Sequence, residues 1–338
     1  MWQVDNQTPF AAGGCFARDQ QGFEHWVLIV RATFNIEADG RITLYENQEP
    51  PQLAPRYTSD EHNDYEFEPD VAPFRPNTDI TVHGAVTAPD NAFFKSLPFS
   101  VRVGSMRKDG IAFGHRRIVR HNNTWHVERY DPVEEVALSW RNSLGGNDAF
   151  DLERSCPLNP IGMGWSADFG RAGHGFALDL PHIESARNRI GSLDKLPEPI
   201  GFGAIPPAWQ PRIGFTGTYD AEWEKSRAPL PPHDFSNKFY QAAPSDQILA
   251  LNGGEAVEII GLHPEGHYSF SLPQILIVTK TIVNAQKPVH RLRLTGVHIH
   301  ATVKRLNMVW NCSIPCNGID HTVMLSTVRV KQVAGVYK

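Results

Sequence analysis

The pattern of apolar and polar positions divides the chain into three parts. Short runs rich in β-branched and aromatic residues fill residues 1–150 and return in residues 274–338, with apolar side chains at alternate positions. No run shows a helical period of comparable length. We therefore predict a mainly β protein whose antiparallel sheets pack as a sandwich or barrel, with a long loop-dominated middle segment, residues 151–273.

Turn residues bound several of these runs, as they bound β-strands. Residues 26–36 end near Asp39-Gly40, and an alternating run over residues 41–45 follows, which predicts a hairpin. We treat the whole chain, 1–338, as one unit with these three subregions. The other predicted strands are residues 79–86, 99–103, 111–119, 135–140, 274–283, 292–303, 306–310 and 322–331.

The middle segment is rich in residues that discourage regular structure. Of the 26 prolines, 14 fall between Pro157 and Pro273, and each removes a backbone donor. Residues 201–235 add four glycines and six large aromatic side chains. Irregular stretches of this length in compact domains usually bind something and need contacts outside themselves. We predict an ordered surface that is pinned to the flanking sheets and that serves binding rather than chemistry.

Composition narrows the class of protein. The 338 residues are 41% hydrophobic and 20% charged, which is typical of a soluble globular protein with a sizeable core. The net charge of −5 comes without a basic cluster, so we expect no nucleic-acid partner. No secretory signal follows Met1, and no apolar run approaches the roughly 20 residues of a membrane span. Four scattered cysteines predict no disulfide framework, and the cytoplasm is the expected location.

A metal site is one candidate chemistry. His298 and His300 alternate on a predicted strand, and Cys312 and Cys316 follow one hairpin later, with His321 just beyond. Two histidines and two cysteines are a possible zinc ligand set. The Cys-x-x-x-Cys spacing contains a proline and is unlike a zinc knuckle, so an ordinary sheet surface is the favoured interpretation. A metal-dependent protein remains an alternative.

An enzyme with acidic residues is the other alternative. A cluster of acidic residues between positions 60 and 70, which we call the acidic run, could supply calcium ligands or a carboxylate pair. Trp165, Trp209 and Trp223 could stack on sugar rings. The usual companions of such sites are missing, and there is no Gly-x-Ser-x-Gly motif. A solvated acidic surface for a basic partner is favoured over an all-β hydrolase or carbohydrate-active enzyme. The acidic run consists of Asp60, Glu61, Asp64, Glu66, Glu68 and Asp70.

An ordered set of short motifs runs through most of the chain. Each motif is weak alone, but the set in this order covers roughly residues 1–310. The chain thereby resembles the bacterial family known as domain of unknown function 2169 (DUF2169). The motifs are VDNxTPF from Val4, YEFEPDVAPFRPNTDITVHG from Tyr65, NPxGxG from Asn159, LPxIE from Leu180, GFG from Gly201, WQPR from Trp209, GTYD from Gly217 and APxDQ from Ala243.

This resemblance implies a non-enzymatic adaptor or chaperone of type VI secretion. Such a protein binds a secreted effector, often one with a PAAR-type domain, and helps to load it on the spike protein, without a cofactor. Broad aromatic and arginine anchors on ordered loops suit that task. The candidate contacts are Trp209, Arg212, Tyr219, Asp220 and Trp223. Each of them is also a candidate for pinning the irregular segment to the sheets.

Overall fold

The computed structural model describes residues 3–57, 65–284, 286–316 and 323–337, and these residues are mainly β. In the first subregion the strands are β1 (Val4–Gln7), β2 (Ala11–Arg18), β3 (Glu24–Ile36), β4 (Ile42–Leu44), β5 (Arg56–Tyr57), β6 (Tyr65–Phe67), β7 (Thr78–His83), β8 (Ala85–Thr87), β9 (Ser96–Val103), β10 (Met106–Phe113), β11 (His115–His121), β12 (Thr124–Asp131), β13 (Glu135–Ala137), β14 (Leu144–Gly145) and β15 (Asn147–Asp148).

The middle and last subregions complete the set. The strands are β16 (Asp151–Ser155), β17 (Met163–Gly164), β18 (Ala177–Asp179), β19 (Ile183–Ser185), β20 (Ile248–Leu249), β21 (Ala256–Ile260), β22 (His267–Ser271), β23 (Gln274–Val283), β24 (Val289–Arg291), β25 (Arg293–His300), β26 (Arg305–Pro315) and β27 (Val323–Ala334).

Helices are short and few in the part of the chain that the structure describes. A single α-helix, α1 (Ala221–Ser226), lies in the middle segment, and none of the described helices is long and apolar enough to cross a bilayer. The 3₁₀ helices are Pro89–Asn91, Trp140–Asn142, Phe169–Arg171, Arg212–Phe215, Asn237–Tyr240 and Ser245–Gln247.

The largest sheet has seven strands and joins both ends of the chain. Its order is β2-β3-β26-β25-β7-β20, with β4 paired to β3. Its neighbours are antiparallel except β25 and β7, which run parallel although they are far apart in the sequence. The predicted Asp-Gly hairpin is present, since Ile36 pairs with Ile42. The first and last subregions therefore share one sheet.

Two further sheets pack on one face of the seven-stranded sheet. They are a four-stranded sheet, β1-β27-β23-β24, and a five-stranded sheet, β19-β10-β9-β21-β22. One continuous apolar core links Phe34, Ile80 and Met308 of the large sheet with Val101 and Ile277 of the others. Each such fully buried side chain contributes about 1.5–3 kcal/mol. The prediction of a mainly β protein with antiparallel sheets is confirmed, and no sheet of the described residues closes into a barrel.

A smaller core lies under the three-stranded sheet β12-β11-β18. Ile118 of β11 and Leu180, which follows β18, pack with Leu144, Phe169 and Leu193. Phe169 lies in a 3₁₀ helix and Leu193 in an irregular segment, so side-chain packing adds to strand pairing in this part of the chain.

The loop-dominated middle is shorter than the sequence predicts. Residues 186–247 contain no strand among the described residues, as expected, but β21 and β22 form a hairpin on the five-stranded sheet. Val257, Ile259, Tyr268 and Phe270 alternate and are buried there. The proline and glycine content averaged over a long window hides this local alternation.

The other face of the seven-stranded sheet is polar and still buried. Its central side chains belong to β3, β7, β25 and β26. Residues 48–57, 65–76 and 204–247 supply their hydrogen-bond and packing partners. We call this surface the polar face and define it by Arg31, Thr33, Asp79, Thr81, His298, Asn307 and Asn311.

Candidate functional site

Arg212 holds the middle segment to the segment that precedes β7. Its guanidinium donates two parallel hydrogen bonds to Glu68, at 2.8 and 2.9 Å, and further bonds to the carbonyls of Ile205 and Phe239. Only 3% of the residue is exposed. The buried ion pair and its hydrogen bonds raise the pKa of Arg212 despite desolvation, so the charge is kept. The sequence left Arg212 as either a partner contact or a residue that pins the irregular segment, and its buried position fits the pinning role.

A second buried link joins β7 to the end of the 3₁₀ helix Asn237–Tyr240. The Asp79 carboxylate accepts the Ala242 amide at 2.7 Å and the Gln241 side-chain amide. Arg75 lies 3.3 Å from Asp79 and donates to the Tyr240 carbonyl at 2.8 Å. Burial raises the pKa of Asp79, and the charge of Arg75 opposes that shift. Arg75 and Asp79 belong to the motif that begins at Tyr65, and Gln241 and Ala242 directly precede the motif that begins at Ala243.

Lys108 forms the third link, from the five-stranded sheet. Its ammonium donates to the Gly201 carbonyl at 2.6 Å and to Asp246 and Gln247 at 2.9 Å each. The Phe202 ring lies 5.1 Å from the same nitrogen. Burial lowers the pKa of Lys108, while Asp246 opposes that shift. Asp79 and Lys108 thus hold the irregular segment to strands of the flanking sheets, as predicted, and Arg212 holds it to the segment before β7.

Trp209 also has a packing role. Its ring meets Trp140 edge to face at 5.9 Å between centroids, and the Trp140 indole donates to the Ala204 carbonyl. A Cβ atom on Gly201 would lie 2.1 Å from the Trp140 ring, so glycine is needed where this tryptophan packs. Trp209 is half-buried in this cluster.

Residues 217–235, which we call the α1 loop, present the Tyr219 ring to solvent. Tyr219 is 56% exposed and meets the half-buried Trp223 at 4.7 Å. The Trp223 indole donates to the Leu230 carbonyl at 2.9 Å, which closes the loop on itself. Asp220 is exposed, and its carboxylate caps α1 by accepting the Trp223 amide.

The turn between β2 and β3 contacts the α1 loop and forms hydrogen bonds with it. Gln20 donates to the Pro232 carbonyl at 3.0 Å, and Arg227 donates to the Gln20 carbonyl at 2.6 Å. A Cβ on Gly22 would lie 2.8 Å from Leu230, so the turn and the loop are in close contact. Phe23, next along this turn, is 60% exposed.

These contacts place three aromatic residues on two mutually supporting loops. We call Phe23, Tyr219 and Trp223 the aromatic face. The acidic residues Glu222 and Glu224 of α1 are exposed beside it. Of the five contacts proposed from the sequence, the structure brings Tyr219, Asp220 and Trp223 together at the surface. Arg212 is buried and Trp209 is half-buried.

The cap of α1 gives a local prediction. Replacing Asp220 by alanine removes the only side-chain acceptor that the structure places at the α1 N-terminus, which typically costs about 1 kcal/mol. We expect faster amide exchange in α1 and little change in global melting. Asp220→Asn retains an acceptor and should exchange as the original does. Equal exchange in both variants would contradict the capping role.

A buried histidine cluster occupies the polar face. The Thr81 hydroxyl lies 2.8 Å from Nδ1 of His298 and 3.0 Å from Nε2 of His83. Asp70 lies 4.0 Å from Nε2 of His298, and the His300 ring stacks on His83 at 5.3 Å. Burial lowers the pKa of His83 and His298 well below 6.5 and that of His300 to about 4. All three imidazoles are therefore neutral near pH 7.

The order of hydroxyl, imidazole and carboxylate in this cluster is that of a hydrolytic triad. The Thr81 hydroxyl is nevertheless shared between two histidines, and Thr81, His298 and Asp70 are each less than 7% exposed. The Phe67 ring covers His83 at 4.3 Å. Burial of these residues leaves the hydroxyl closed to a substrate in this structure. Sequence reasoning missed the cluster because it depends on the parallel pairing of β7 with β25.

The four candidate metal ligands do not converge. His298 and His300 point to the polar face, whereas Cys312 and Cys316 belong to the main apolar core on the other side. Burial raises the pKa of Cys312 to about 11, which disfavours the thiolate that zinc requires. No group of three metal-ligating side chains occurs among the residues described here. His321 lies outside these residues.

The three members of the acidic run that the structure describes all form ion pairs. Glu66 lies 2.8 Å from Arg56, Glu68 binds Arg212, and Asp70 lies 2.9 Å from Arg31. Asp60, Glu61 and Asp64 lie outside the described residues.

A cavity of about 550 Å³ opens between β4, β21 and β22. Its lining includes Arg41, Arg102, Glu258 and Tyr337, but neither histidine nor cysteine. Opposite charges face each other there without a nucleophile paired to a base. This cavity therefore adds no support to the enzyme alternative.

Comparisons with known proteins agree with the motif order. Searches of the curated proteins and of the solved structures gave no match. A family model does match, over residues 21–311, and its description is an uncharacterized protein conserved in bacteria, DUF2169. The match covers most of the chain and includes every buried link described above. The chain therefore belongs to the DUF2169 family.

Proposed function

We propose that the protein is a non-enzymatic adaptor of type VI secretion. It binds a secreted effector, through a PAAR-type domain or the segment beside it, and helps to load that effector on the spike protein. It meets the effector in the cytoplasm, before export, and uses no cofactor. The proposal combines the function that the resemblance in motif order implies with the exposed surface of this chain.

The main support for the proposal is the aromatic face, which lies on two loops that are fixed by hydrogen bonds. Tyr219 and Phe23 expose more than half of their surface. The loops below them are fixed by Arg227, Gln20 and the buried Arg212–Glu68 pair. Preorganised aromatic anchors lose little conformational entropy on binding and often dominate affinity.

Charge near the aromatic face limits the chemistry of the partner. Asp220, Glu222 and Glu224 are exposed on and before α1, against Lys225 alone on the same helix. We infer that the matching surface of the effector or spike has an apolar pocket with a basic rim. Complementary charges of this kind raise the association rate and select among partners. The same acidic surface disfavours nucleic acid.

Capture of a partner tests the proposal. The protein should co-purify with the effector or the spike protein encoded beside its gene, with both partners folded. Tyr219→Ala should weaken this binding about thirtyfold, since loss of a central aromatic anchor costs about 2 kcal/mol. The melting temperature should stay close to that of the original chain because Tyr219 is mainly exposed.

A matched pair of phenylalanines supplies the control. Phe23 is 60% exposed on the aromatic face, and Phe93 is 65% exposed in the loop after the 3₁₀ helix Pro89–Asn91. Phe23→Ala should weaken capture, and Phe93→Ala should not. Failure of the original chain to capture either partner would refute the adaptor role. Equal effects of the two variants would move the contact away from the aromatic face.

A further inference from the structure

A smaller cavity lies where the chain passes from the four-stranded sheet to the seven-stranded sheet. Its volume is about 270 Å³, and it is bordered by β24, β25, the start of β7 and the segment after β20. Strand β24 ends at Arg291 and β25 begins at Arg293, so the two sheets meet at its wall. The turn with Phe23 follows β2, at the opposite end of the seven-stranded sheet from β7 and β20. The cavity is therefore separate from the aromatic face.

The buried part of the cavity lining is apolar, and we call it the cavity floor. It consists of Leu251, Ile275, Leu292 and Trp310, which are each less than 9% exposed and belong to the main apolar core. An apolar group that enters the cavity exchanges water for contact with this core, a gain of about 25 cal/mol per Å² that is buried. A volume of about 270 Å³ corresponds to roughly nine water molecules, which suits one large side chain rather than a drug-sized ligand.

The charged side chains of the lining are all cationic. Arg291 and Arg293 line the cavity, and neither aspartate nor glutamate occurs among its described lining residues. Arg293 donates to the carbonyls of Arg75 at 3.1 Å and Pro76 at 2.7 Å, which holds the guanidinium at the cavity wall. Arg291 is exposed and forms no ion pair within the part of the chain that the structure describes. Its charge is therefore available to an anion.

Uncharged polar side chains complete the exposed part of the lining. Asn77 and Asn252 are exposed beside the cavity, and a carboxamide can both donate to and accept from a peptide backbone. Glu255 accepts the Asn252 backbone amide at 2.9 Å but does not line the cavity. An anion in the cavity thus meets two guanidinium groups beside an apolar floor.

We infer that this cavity binds the C-terminal residue of a polypeptide that ends in an apolar side chain. In such a residue the side chain and the α-carboxylate are attached to one Cα atom, so a single residue engages both the cavity floor and the arginines. Guanidinium groups bind carboxylates through strong, charge-assisted hydrogen bonds. Capture of a chain end by its carboxylate is a known mode of peptide recognition. This binding site goes beyond the adaptor function and does not depend on it.

Binding of short peptides to the purified full-length protein tests the inference. The probe is an acetylated tetrapeptide that ends in leucine with a free carboxylate, and the matched probe is the same peptide with an amidated end. Calorimetry should show that the free carboxylate binds at least about tenfold more tightly, a difference of about 1.4 kcal/mol. Arg291→Ala should weaken binding of the free peptide by a similar factor without lowering the melting temperature. Ala250→Trp, at an exposed lining position, should block binding by filling the cavity.

Lys280→Ala is the matched control for charge. Lys280 is exposed on β23, the strand beside β24, but it does not line the cavity, so its removal should change binding less than about twofold. Equal effects of Lys280→Ala and Arg291→Ala would mean that the attraction is general and that the cavity is not the site.

The remaining outcomes decide what the cavity recognises. Equal binding of the free and amidated peptides would show that the carboxylate is not recognised, and no binding at millimolar peptide would refute the site. Isocaproate has the leucine side chain and a carboxylate without a peptide. If it binds as tightly as the free peptide, the ligand is a free acid and the assignment to a chain end is wrong. Partner capture through the aromatic face is measured separately, so failure here leaves the adaptor role standing.

Discussion

Replacing Arg212 by alanine is expected to destabilise the protein by about 3–5 kcal/mol. The change leaves the Glu68 carboxylate partly buried without its bidentate partner and leaves the carbonyls of Ile205 and Phe239 without a donor. Removing one member of a buried ion pair typically has this cost. Thermal melting and denaturant unfolding of the purified protein would both measure it. Arg212→Lys should restore little, because lysine cannot form the two parallel bonds.

Two controls make this prediction specific. Arg187, whose side chain is 78% exposed beside Asp109, should change stability by less than about 0.5 kcal/mol when it is replaced by alanine. The double variant Glu68→Ala with Arg212→Ala should cost clearly less than the sum of the two single changes. If Arg212→Ala melts as the original does and still loses partner capture, Arg212 is a contact residue and the pinning role is wrong.

Acidification is expected to have the second large effect. The folded protein keeps His83, His298 and His300 neutral, whereas the unfolded chain protonates them near pH 6.5. The unfolded state therefore binds more protons below pH 6.5, so the stability is complete above that pH and is lost as the pH falls toward 4. Each histidine contributes about 1.4 kcal/mol per pH unit in this window. A drop from pH 6.5 to 5 should cost several kcal/mol.

The neighbours of the cluster strengthen this effect. Arg31 and Arg56 carry positive charge near the imidazoles and disfavour protonation, while Glu49 partly opposes this at His300. Unfolding curves at a series of pH values measure the slope. His300→Asn should reduce the pH dependence of the unfolding free energy by about one proton. A stability that is flat between pH 6.5 and 5 would contradict the neutral, buried cluster.

Much of the strand content was predictable from local pattern alone. The run at residues 26–36 became β3 and the run at residues 274–283 became β23, because each alternates or is apolar throughout over a length typical of strands. Pairing was not predictable in the same way. β7 lies beside β25 because both contribute to one core, and no local feature of either strand specifies a partner so distant in sequence.

In the candidate site, too, local features were predictable from the sequence and long-range contacts were not. The sequence identified the aromatic and arginine candidates of residues 201–235. Whether each of them contacts a partner or pins the irregular segment depends on its exposure, and exposure depends on residues that are distant in the sequence. Arg212 is buried where it pairs with Glu68 from the segment before β7, whereas Tyr219, just before α1, is exposed. Likewise, the sequence spacing allowed His298 and Cys312 to bind one metal ion, but the two side chains lie on opposite faces of one sheet.

A deuterium-exchange footprint of the captured complex tests the central claim most directly. The account predicts that the partner slows exchange in the α1 loop and in the turn at residues 19–23. The buried links at Arg212, Asp79 and Lys108 should already exchange slowly in the free protein and should change little. Protection confined to the cavity beside Glu258 and Tyr337, with the α1 loop unchanged, would contradict the account.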